Sequence, residues 1–259
     1  MAEPEEQILL AVAHEAAEAA GTELRARFGQ RAAGVHAKST PTDLVSDADF
    51  AAEAAIRAVL AERRPNDAIV AEEGGESGEG EIRWVVDPLD GTINFLFGVP
   101  QFAVSVACEN DAGTLAGVVL DPIRDEYFAA TRSGAPTVNG VPISPPQKAV
   151  QLDTAMVATG FAYDSALRVR QAEVLARVLP RIRDIRRAGS AAIDLAWCAC
   201  GRYDAFYERG LHNWDVAAGA LVASRAGLEV RELLASYTLP SGILAAPAGL
   251  IEELLALGL

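Results

Sequence analysis

Two aspartates three residues apart are the first feature of the sequence that could do chemistry. Asp87 and Asp90 follow the apolar run Trp84-Val85-Val86, with Pro88-Leu89 between them. Two carboxylates that converge on one point repel each other, so the spacing predicts a proton or a cation between them. A hard divalent cation such as Mg²⁺ fits, because it prefers carboxylate, carbonyl and water oxygens.

The residues around this pair suit a cation and an anion together. We expect a buried strand that ends in a turn, where the carbonyl of Leu89 is a further oxygen ligand. Gly91 and Thr92 then open a short helix, and the free N–H groups and positive dipole end of a helix favour an anion. A metal ion and a phosphate group would therefore be neighbours.

Other acids stand at the ends of predicted elements. Glu72 follows a short strand over residues 68–71, and its carboxylate meets that of Asp87 if the two strands are neighbours. Asp215 begins an Ala-rich helix, where an isolated acid is also explained by capping. Asp43, Asp47 and Asp49 precede a second helix, and capping accounts for at least one of them.

Composition excludes several classes of protein. The chain has 259 residues, 51% of them apolar, and a formal net charge of −14. Such acidity opposes binding of nucleic acid, which requires clustered Lys and Arg. Three cysteines are too few for a disulfide framework, which favours a reducing compartment. The acidic first residues lack the features of a signal peptide and no apolar segment reaches spanning length, so we expect a cytoplasmic protein without membrane association.

The predicted elements change pattern near residue 148. Before it, helices over 4–28 and 48–63 are followed by strand-like runs over 102–108, 114–120 and 126–131, whose turn signals are typical of an antiparallel meander. After it, strands alternate with helices, which predicts a largely parallel sheet covered by helices. The predicted strands are 154–159, 183–187, 203–207 and 242–246, and the predicted helices are 165–179, 191–200, 214–226 and 247–257.

The sequence resembles the inositol monophosphatase family, a group of Mg²⁺-dependent, lithium-sensitive phosphatases of sugars and polyols. Residues 87–95 look like its first signature and residues 214–219 like its second. Residues 72–74 match the acid pair before the first signature, and residues 43–49 match the acidic segment before the second helix. Similarity that extends from the first helix to the last is more specific than one short motif.

The resemblance implies an architecture and an assembly. The fold would be a layered αβαβα sandwich of the α+β class. Residues 1–148 would form an amino-terminal half with an antiparallel sheet, and residues 149–259 a smaller α/β half with a largely parallel sheet. The site would lie at the junction of the halves, and the protein would be a homodimer. A missing second glycine after Gly227 departs from the family pattern and leaves the local structure of residues 228–242 open.

The resemblance also assigns roles to the acids. Two or three Mg²⁺ ions would be held by five residues, Glu72, Asp87, Leu89 through its carbonyl, Asp90 and Asp215. Asp49, Glu72 and Thr92 would orient and deprotonate the attacking water. The substrate would contact Asp90, Gly91, Thr92, Gly189, Ser190, Ala191 and Glu208. Simpler roles remain open for some of these residues: Thr92 and Ser190 as helix caps, and Glu208 as the partner of a local salt bridge with Arg209.

These assignments predict direct hydrolysis of a phosphorylated polyol of the inositol 1-phosphate type. Asn94 disfavours histidinol phosphate, and Ile93-Asn94-Phe95 disfavours a 3′-phosphonucleotide. Fructose 1,6-bisphosphate remains open, since Arg186 or Arg187 could bind its second phosphate. The alternative from another class is a metal-binding partner protein without activity. That alternative predicts a missing ligand or a missing Thr92, whereas all of these residues are present.

Overall fold

The computed structural model describes residues 3–30, 34–37, 44–144 and 150–259. These residues form five alternating layers of helices and sheets, which confirms the expected αβαβα arrangement of the α+β class. Asp43 and the expected boundary between residues 148 and 149 lie outside the described residues. No helix in the described ranges is both long enough and apolar enough to span a membrane.

The helices lie close to their predicted positions. In the described part of the chain they are α1 (Pro4–Arg27), α2 (Asp47–Arg63), α3 (Thr92–Leu96), α4 (Ser165–Val178), α5 (Ala191–Ala199), α6 (Asn213–Arg225) and α7 (Ala248–Leu255). Short 3₁₀ turns span Leu152–Thr154 and Leu179–Arg181.

The strands form a small hairpin and two sheets. The hairpin pairs β1 (His36–Ala37) with β2 (Leu44–Val45). The first sheet has the order β10-β9-β8-β7-β6-β5-β3-β4 and contains β3 (Ala68–Ala71), β4 (Gly75–Ser77), β5 (Arg83–Asp90), β6 (Ala103–Asn110), β7 (Gly113–Asp121), β8 (Glu126–Thr131), β9 (Thr137–Val138) and β10 (Val141–Pro142). The second has the order β12-β11-β13-β15-β14 and contains β11 (Met156–Thr159), β12 (Asp184–Arg186), β13 (Ala205–Arg209), β14 (Glu229–Leu233) and β15 (Gly242–Ala246).

Small apolar residues allow the layers to approach closely. The Ala-rich face of α1 packs with α2 on one face of the first sheet, and α5 and α6 fill the space between the two sheets. The helices α4 and α7 cover the far face of the second sheet. Gly117 of β7 faces Ala218 of α6, whose Cα would lie 2.8 Å from a Cβ at position 117. The middle layer therefore binds both sheets into one packed unit.

The structure corrects three expectations about the strands. The second sheet is mixed, because β15 pairs antiparallel with both β13 and β14. Residues 234–241 form a connection that is too short for the crossover helix that a parallel pair requires. Residues 229–233, where no strand was predicted, form the edge strand β14. Within the first sheet, β3 and β5 are parallel.

The third correction concerns β5, which does not end in a turn before its acids. The strand continues to Asp90, with an irregularity in its pairing to β6 between Asp87 and Asp90. A bulge of this kind redirects side chains while the strand remains anchored in the sheet. Both carboxylates therefore project from a buried strand rather than from a surface loop.

Candidate active site

A pocket of about 440 Å³ lies where the two sheets and α6 meet. Its volume is in the range typical of sites for small molecules. Most of the residues predicted from the sequence line it: Glu72, Asp87, Leu89, Asp90, Gly91, Thr92, Gly189, Ala191, Glu208 and Asp215. Asp49 and Ser190 are buried behind this wall and reach the pocket through other residues.

The pairing of β3 with β5 brings Glu72 to Asp87. In the parallel register Ala71 lies opposite Val86, and the N–H of Glu72 donates to the carbonyl of Val86 at 3.2 Å. Parallel strands end at the same edge of a sheet, so the acids that follow these paired residues are neighbours. Together with burial, the proximity of Glu72 raises the pKa of Asp87. The two strands are therefore neighbours, which is the condition under which we expected these carboxylates to meet.

Asp90 links the first sheet to the start of α5. Its Oδ2 accepts a hydrogen bond from the Ser190 hydroxyl at 2.6 Å and another from the N–H of Ala192 at 2.7 Å. Ser190 also caps the helix that follows it, since its hydroxyl accepts from the N–H of Ile193. The predicted cap and the predicted site role of Ser190 are thus compatible, and Ser190 acts through Asp90.

Asp215 enters the pocket from the first turn of α6. The N–H of His212 donates to its Oδ2 at 2.6 Å, and, alongside burial, the charge of Asp215 contributes to the raised pKa of Asp87. The buried hydroxyl of Ser105 on β6 donates to the carbonyl of Trp214 at 3.0 Å, which holds the start of α6 against the first sheet. Asp215 is therefore both a cap and a pocket residue.

Thr92 stands between Asp49 and the end of β5. Its Oγ1 lies 2.9 Å from Oδ1 of Asp49 and 3.0 Å from the carbonyl oxygen of Leu89, and both of these atoms can only accept a hydrogen bond. Asp49 is fully buried and its Oδ2 accepts from the N–H and the hydroxyl of Ser46, each at 2.8 Å. The proton of Thr92 is thus directed into the protein, and its lone pairs remain for a donor in the pocket.

Gly91 and Asn94 hold the floor of the pocket together. Gly91 has a φ of +98°, and a Cβ there would meet the carbonyl oxygens of Gln101 and Gly189 at 3.0 and 3.1 Å. Only glycine combines this left-handed conformation with such a close backbone approach. The side-chain amide of Asn94 donates to the carbonyls of Gln101 and Ala188 at 2.7 and 2.9 Å, which ties α3 to the loop before α5. The helix α3 has five residues, so its dipole is smaller than the sequence argument assumed.

Burial and mutual repulsion favour the neutral forms of the pocket acids. Burial, followed by the charges of Glu72, Asp90 and Asp215, raises the pKa of Asp87 well above its ordinary value. Burial raises the pKa of Asp90 to about 6, against its hydrogen bonds from Ser190 and Ala192. Burial and the charge of Asp90 raise the pKa of Asp215 to about 7. The acids cannot all be charged together without cations.

The chemistry of these donors fits hard divalent cations. Four carboxylates and the Leu89 carbonyl, all oxygen donors, face one pocket. Among the described residues, no group of three or more His, Cys, Asp or Glu side chains is arranged so that it could hold a metal ion by itself. Mg²⁺ does not need such a group, because it retains several waters and is held through one or two carboxylates and a substrate phosphate. The donors therefore suit Mg²⁺ better than a metal that requires a complete cage of protein ligands.

Glu208 and Arg187 form a further part of the pocket wall. Burial raises the pKa of Glu208 to about 8, and the charge of Arg187 opposes this shift. The predicted salt bridge between Glu208 and Arg209 does not form, because the Arg209 guanidinium donates to the carbonyls of Leu234, Pro240 and Leu259. Of the two arginines considered from the sequence, Arg187 lines the pocket, whereas Arg186 pairs with Asp184.

Sequence reasoning missed the residues at the end of β11. Residues 161–164 line the pocket beside His212, and Asp194 is buried next to it with its Oδ1 unpaired among the described residues. The general rule that ligands bind beyond the carboxyl ends of parallel strands could have identified residues 161–164. No sequence pattern pointed to Asp194. An acid within an apolar helix indicates a site only when the residues that surround it in space are known.

Comparisons with known proteins agree with this arrangement. A sequence model described as the inositol monophosphatase family matches residues 5–257. A protein of Mycobacterium bovis named inositol-1-monophosphatase is 42% identical over 243 residues, which cover 89% of this chain and 83% of that protein. A protein of Pseudomonas aeruginosa named Nus factor SuhB is 44% identical over 206 residues, or 75% of this chain and 74% of that one.

Solved structures show the same fold. The crystal structure of the extragenic suppressor protein suhB from Bartonella henselae matches with a TM-score of 0.88 and 34% sequence identity, over 96% of this chain and 97% of that chain. The family match spans both signatures and all of the pocket acids. The chain therefore belongs to the inositol monophosphatase family.

Proposed function

We propose that the protein is a Mg²⁺-dependent phosphomonoesterase that hydrolyses inositol 1-phosphate or a closely similar polyol monophosphate. The observation that supports this most strongly is the pair Asp49 and Thr92 at the floor of a pocket lined with carboxylates. A hydroxyl that donates its proton to a buried carboxylate keeps its lone pairs for the pocket. Such a pair of groups can hold and deprotonate a water molecule. The match to the family over residues 5–257 is consistent with this proposal.

The residues of the chain have distinct parts in the reaction. Water donates a hydrogen bond to Thr92, which passes a proton toward Asp49, and Glu72 helps to orient the same water. Two or three Mg²⁺ ions would be held by Glu72, Asp87, Asp90, Asp215 and the Leu89 carbonyl. When bound, the ions would offset the charges of the carboxylates and the phosphoryl group and make the water more acidic. The products are the free polyol and inorganic phosphate.

No side-chain nucleophile is required. Ser190 is buried and its hydroxyl donates to Asp90, and the thiols of Cys108 and Cys198 are buried with raised pKa values. Buried protonated thiols are poor nucleophiles. Direct attack of water on phosphorus is therefore the simplest mechanism that the pocket supports.

The polyol would lie between the acids of β5 and the wall formed by Glu208. Gly189, Ala191 and Glu208 line this part of the pocket, and the carboxylate of Glu208 can accept hydrogen bonds from ring hydroxyls. Gly91 and Thr92 are on the phosphate side. The cytoplasmic location and the homodimer expected from the sequence remain predictions.

A phosphate-release assay tests the proposal. Inositol 1-phosphate, fructose 1,6-bisphosphate, histidinol phosphate and a 3′-phosphonucleotide are compared with Mg²⁺ and with a chelator. We expect turnover that depends on Mg²⁺ and is fastest with inositol 1-phosphate. An Asp90→Asn variant purified in the same way controls for contaminating phosphatases and should release no phosphate. Absence of turnover on every substrate would overturn the enzyme assignment.

The partner-binding alternative has one observation in its favour. Relatives of nearly equal identity are named inositol-1-monophosphatase or Nus factor SuhB, so identity alone does not separate hydrolysis from a binding role. The alternative predicts no turnover, whereas a complete set of Asp49, Thr92 and metal-facing acids favours hydrolysis. The assay above distinguishes the two.

A further inference from the structure

We propose that Gly160 is a positioning residue for substrate selection, because it provides the space in which the Glu208 carboxylate faces the polyol. The inference deepens the proposed function and rests on it. No motif of the sequence pointed to Gly160, which follows β11 and contributes no functional group of its own.

The register of the second sheet places Gly160 beside Glu208. The strands β11 and β13 are parallel, and their last paired residues are Thr159 and Tyr207. Gly160 and Glu208 are the next residues along each strand. A Cβ built on Gly160 would overlap the Cδ and both carboxylate oxygens of Glu208. The carboxylate therefore lies directly on the backbone of Gly160, in the place that any other side chain would occupy.

The backbone conformation at position 160 does not require glycine. Gly160 is absent from the glycines that have a positive φ, so its backbone is open to other residues. The atoms that a Cβ would meet are the end of a flexible side chain, which can rotate away at small cost. Gly242 is a contrasting case, because a Cβ there would meet the backbone of Glu208 and Arg209. A methyl group at position 160 should thus move the carboxylate and leave the sheet intact.

Little else determines where the Glu208 carboxylate lies. Among the described residues it accepts no hydrogen bond and forms no ion pair at contact distance, and Arg209 is engaged with three backbone carbonyls. Arg187 attracts Glu208 through its charge without such contact. Packing on Gly160 is therefore the closest constraint on this group, and position 160 controls how far it extends toward the substrate.

The test compares two substrates that share the phosphate ester and differ in the polyol. Inositol 1-phosphate offers ring hydroxyls to Glu208, whereas p-nitrophenyl phosphate offers none. In the Mg²⁺-loaded enzyme, Gly160→Ala should lower kcat/KM for inositol 1-phosphate by roughly tenfold, mostly through KM, because the hydrogen bond between Glu208 and a ring hydroxyl is lost. Hydrolysis of p-nitrophenyl phosphate should change by less than about twofold.

Two further variants separate positioning from damage to the fold. Gly249 also lacks a positive φ and has no atom within 4 Å of a built Cβ, so Gly249→Ala is a matched control that should change neither substrate. Glu208→Ala removes the carboxylate, and Gly160→Ala should have no further effect in that background. Such non-additivity is expected when one residue acts only through another.

The outcomes are distinguishable from those that test the proposed function. Wild-type protein that hydrolyses neither substrate would overturn both proposals. Active wild-type protein with equal losses on both substrates in Gly160→Ala would overturn the inference alone. So would additive effects in the double variant, or a Gly160→Ala protein that fails to fold, because Gly160 would then serve the sheet rather than Glu208.

Discussion

At the scale of single residues, Thr92 connects Asp49 on α2 to the end of β5. Its hydroxyl is within hydrogen-bond distance of two groups that only accept, so its own oxygen is left to accept from the pocket. An ordinary helix cap would instead accept from the backbone N–H groups of its helix. The Thr92 side chain makes no cap bond to α3, which is started by Gly91.

Replacing this hydroxyl should stop turnover without unfolding the protein. Thr92→Val keeps the shape of the side chain and removes the group that holds water, so kcat should fall by roughly 10²- to 10⁴-fold, the usual contribution of general acid–base catalysis. The loss of one buried hydrogen bond should cost about 1 kcal/mol of stability. Steady-state phosphate release and thermal unfolding measure the two effects.

Thr92→Ser is the matched control for that experiment. It retains the hydroxyl, and should keep most of the activity lost in the valine variant. If valine and serine reduced kcat equally, the methyl group rather than the hydroxyl would be what matters, and Thr92 would have no part in handling the water.

Residues of the pocket could be predicted only where a motif specified them. Types and spacing pointed to Asp87 and Asp90, the family resemblance added Glu72 and Asp215, and all four line the pocket. Gly160 and Asp194 could not be predicted, since their meaning depends on which side chain lies against them. Strand register determines that contact, and the local sequence does not reveal it.

At the scale of elements, α2 serves the pocket at two points one turn apart. Asp49 and Glu53 are both on its buried face. The Glu53 carboxylate accepts hydrogen bonds from the N–H groups of Glu73 and Gly74 at 3.0 Å, and pairs with Arg57 at 2.6 Å. One helix face thus holds Asp49 and the turn that follows Glu72.

Removing this support should weaken metal binding although Glu53 does not face the pocket. Glu53→Ala removes the carboxylate that accepts from the N–H groups of Glu73 and Gly74, so the turn after Glu72 should shift. We expect the Mg²⁺ concentration required for half-maximal activity to rise by roughly tenfold or more, since losses of about 10- to 100-fold follow when groups behind metal ligands are removed.

An exposed acid on the same helix supplies the comparison. Glu62→Ala removes an equal charge from α2 at a solvated position, and its Mg²⁺ requirement should match that of the wild type. An unchanged requirement in Glu53→Ala would show that Glu72 is held by the strand alone.

The existence of most elements could be predicted, but their pairing could not. Periodicity located α1, α2 and β15 to within about a residue. It did not reveal that β3 lies parallel to β5, nor that β15 runs antiparallel to both of its neighbours. Sheet order depends on contacts between distant segments, and periodicity reports only the faces of each segment.

At the scale of the whole molecule, an acidic chain gathers several of its carboxyl groups in one pocket. The chain has a formal net charge of −14. The pKa values of Asp90, Asp215 and Glu208 are raised to about 6, 7 and 8, with burial as the main cause in each. In the absence of cations, the folded protein therefore holds more protons than the unfolded chain.

Stability should consequently depend on pH and Mg²⁺ together. A carboxyl group whose pKa is higher in the folded protein contributes its full stability at pH values below its pKa in the unfolded chain. This contribution is lost as the pH rises through its pKa in the folded protein. The thermal midpoint in chelator should thus fall between about pH 4 and about pH 8. Mg²⁺ replaces the protons, so the stabilisation it provides should increase over the same interval.

Thermal scans at several pH values, with Mg²⁺ or with chelator, measure this dependence. A double variant Asp90→Asn, Asp215→Asn lacks two of the titrating groups and should show a flatter profile in chelator. A wild-type profile that Mg²⁺ shifts equally at every pH would contradict the linkage.

The backbone contacts of the pocket aspartates have a consequence for cation binding. Each of four aspartates has one carboxylate oxygen that accepts a hydrogen bond from a main-chain N–H group. The pairs are Asp49 with Ser46, Asp87 with Leu89, Asp90 with Ala192 and Asp215 with His212. Each side chain therefore loses its rotamer freedom when the chain folds, before a cation arrives. The entropy cost of ordering these side chains is part of the free energy of folding, so cation binding does not incur it again. The cation-free and loaded proteins should then differ in charge more than in shape.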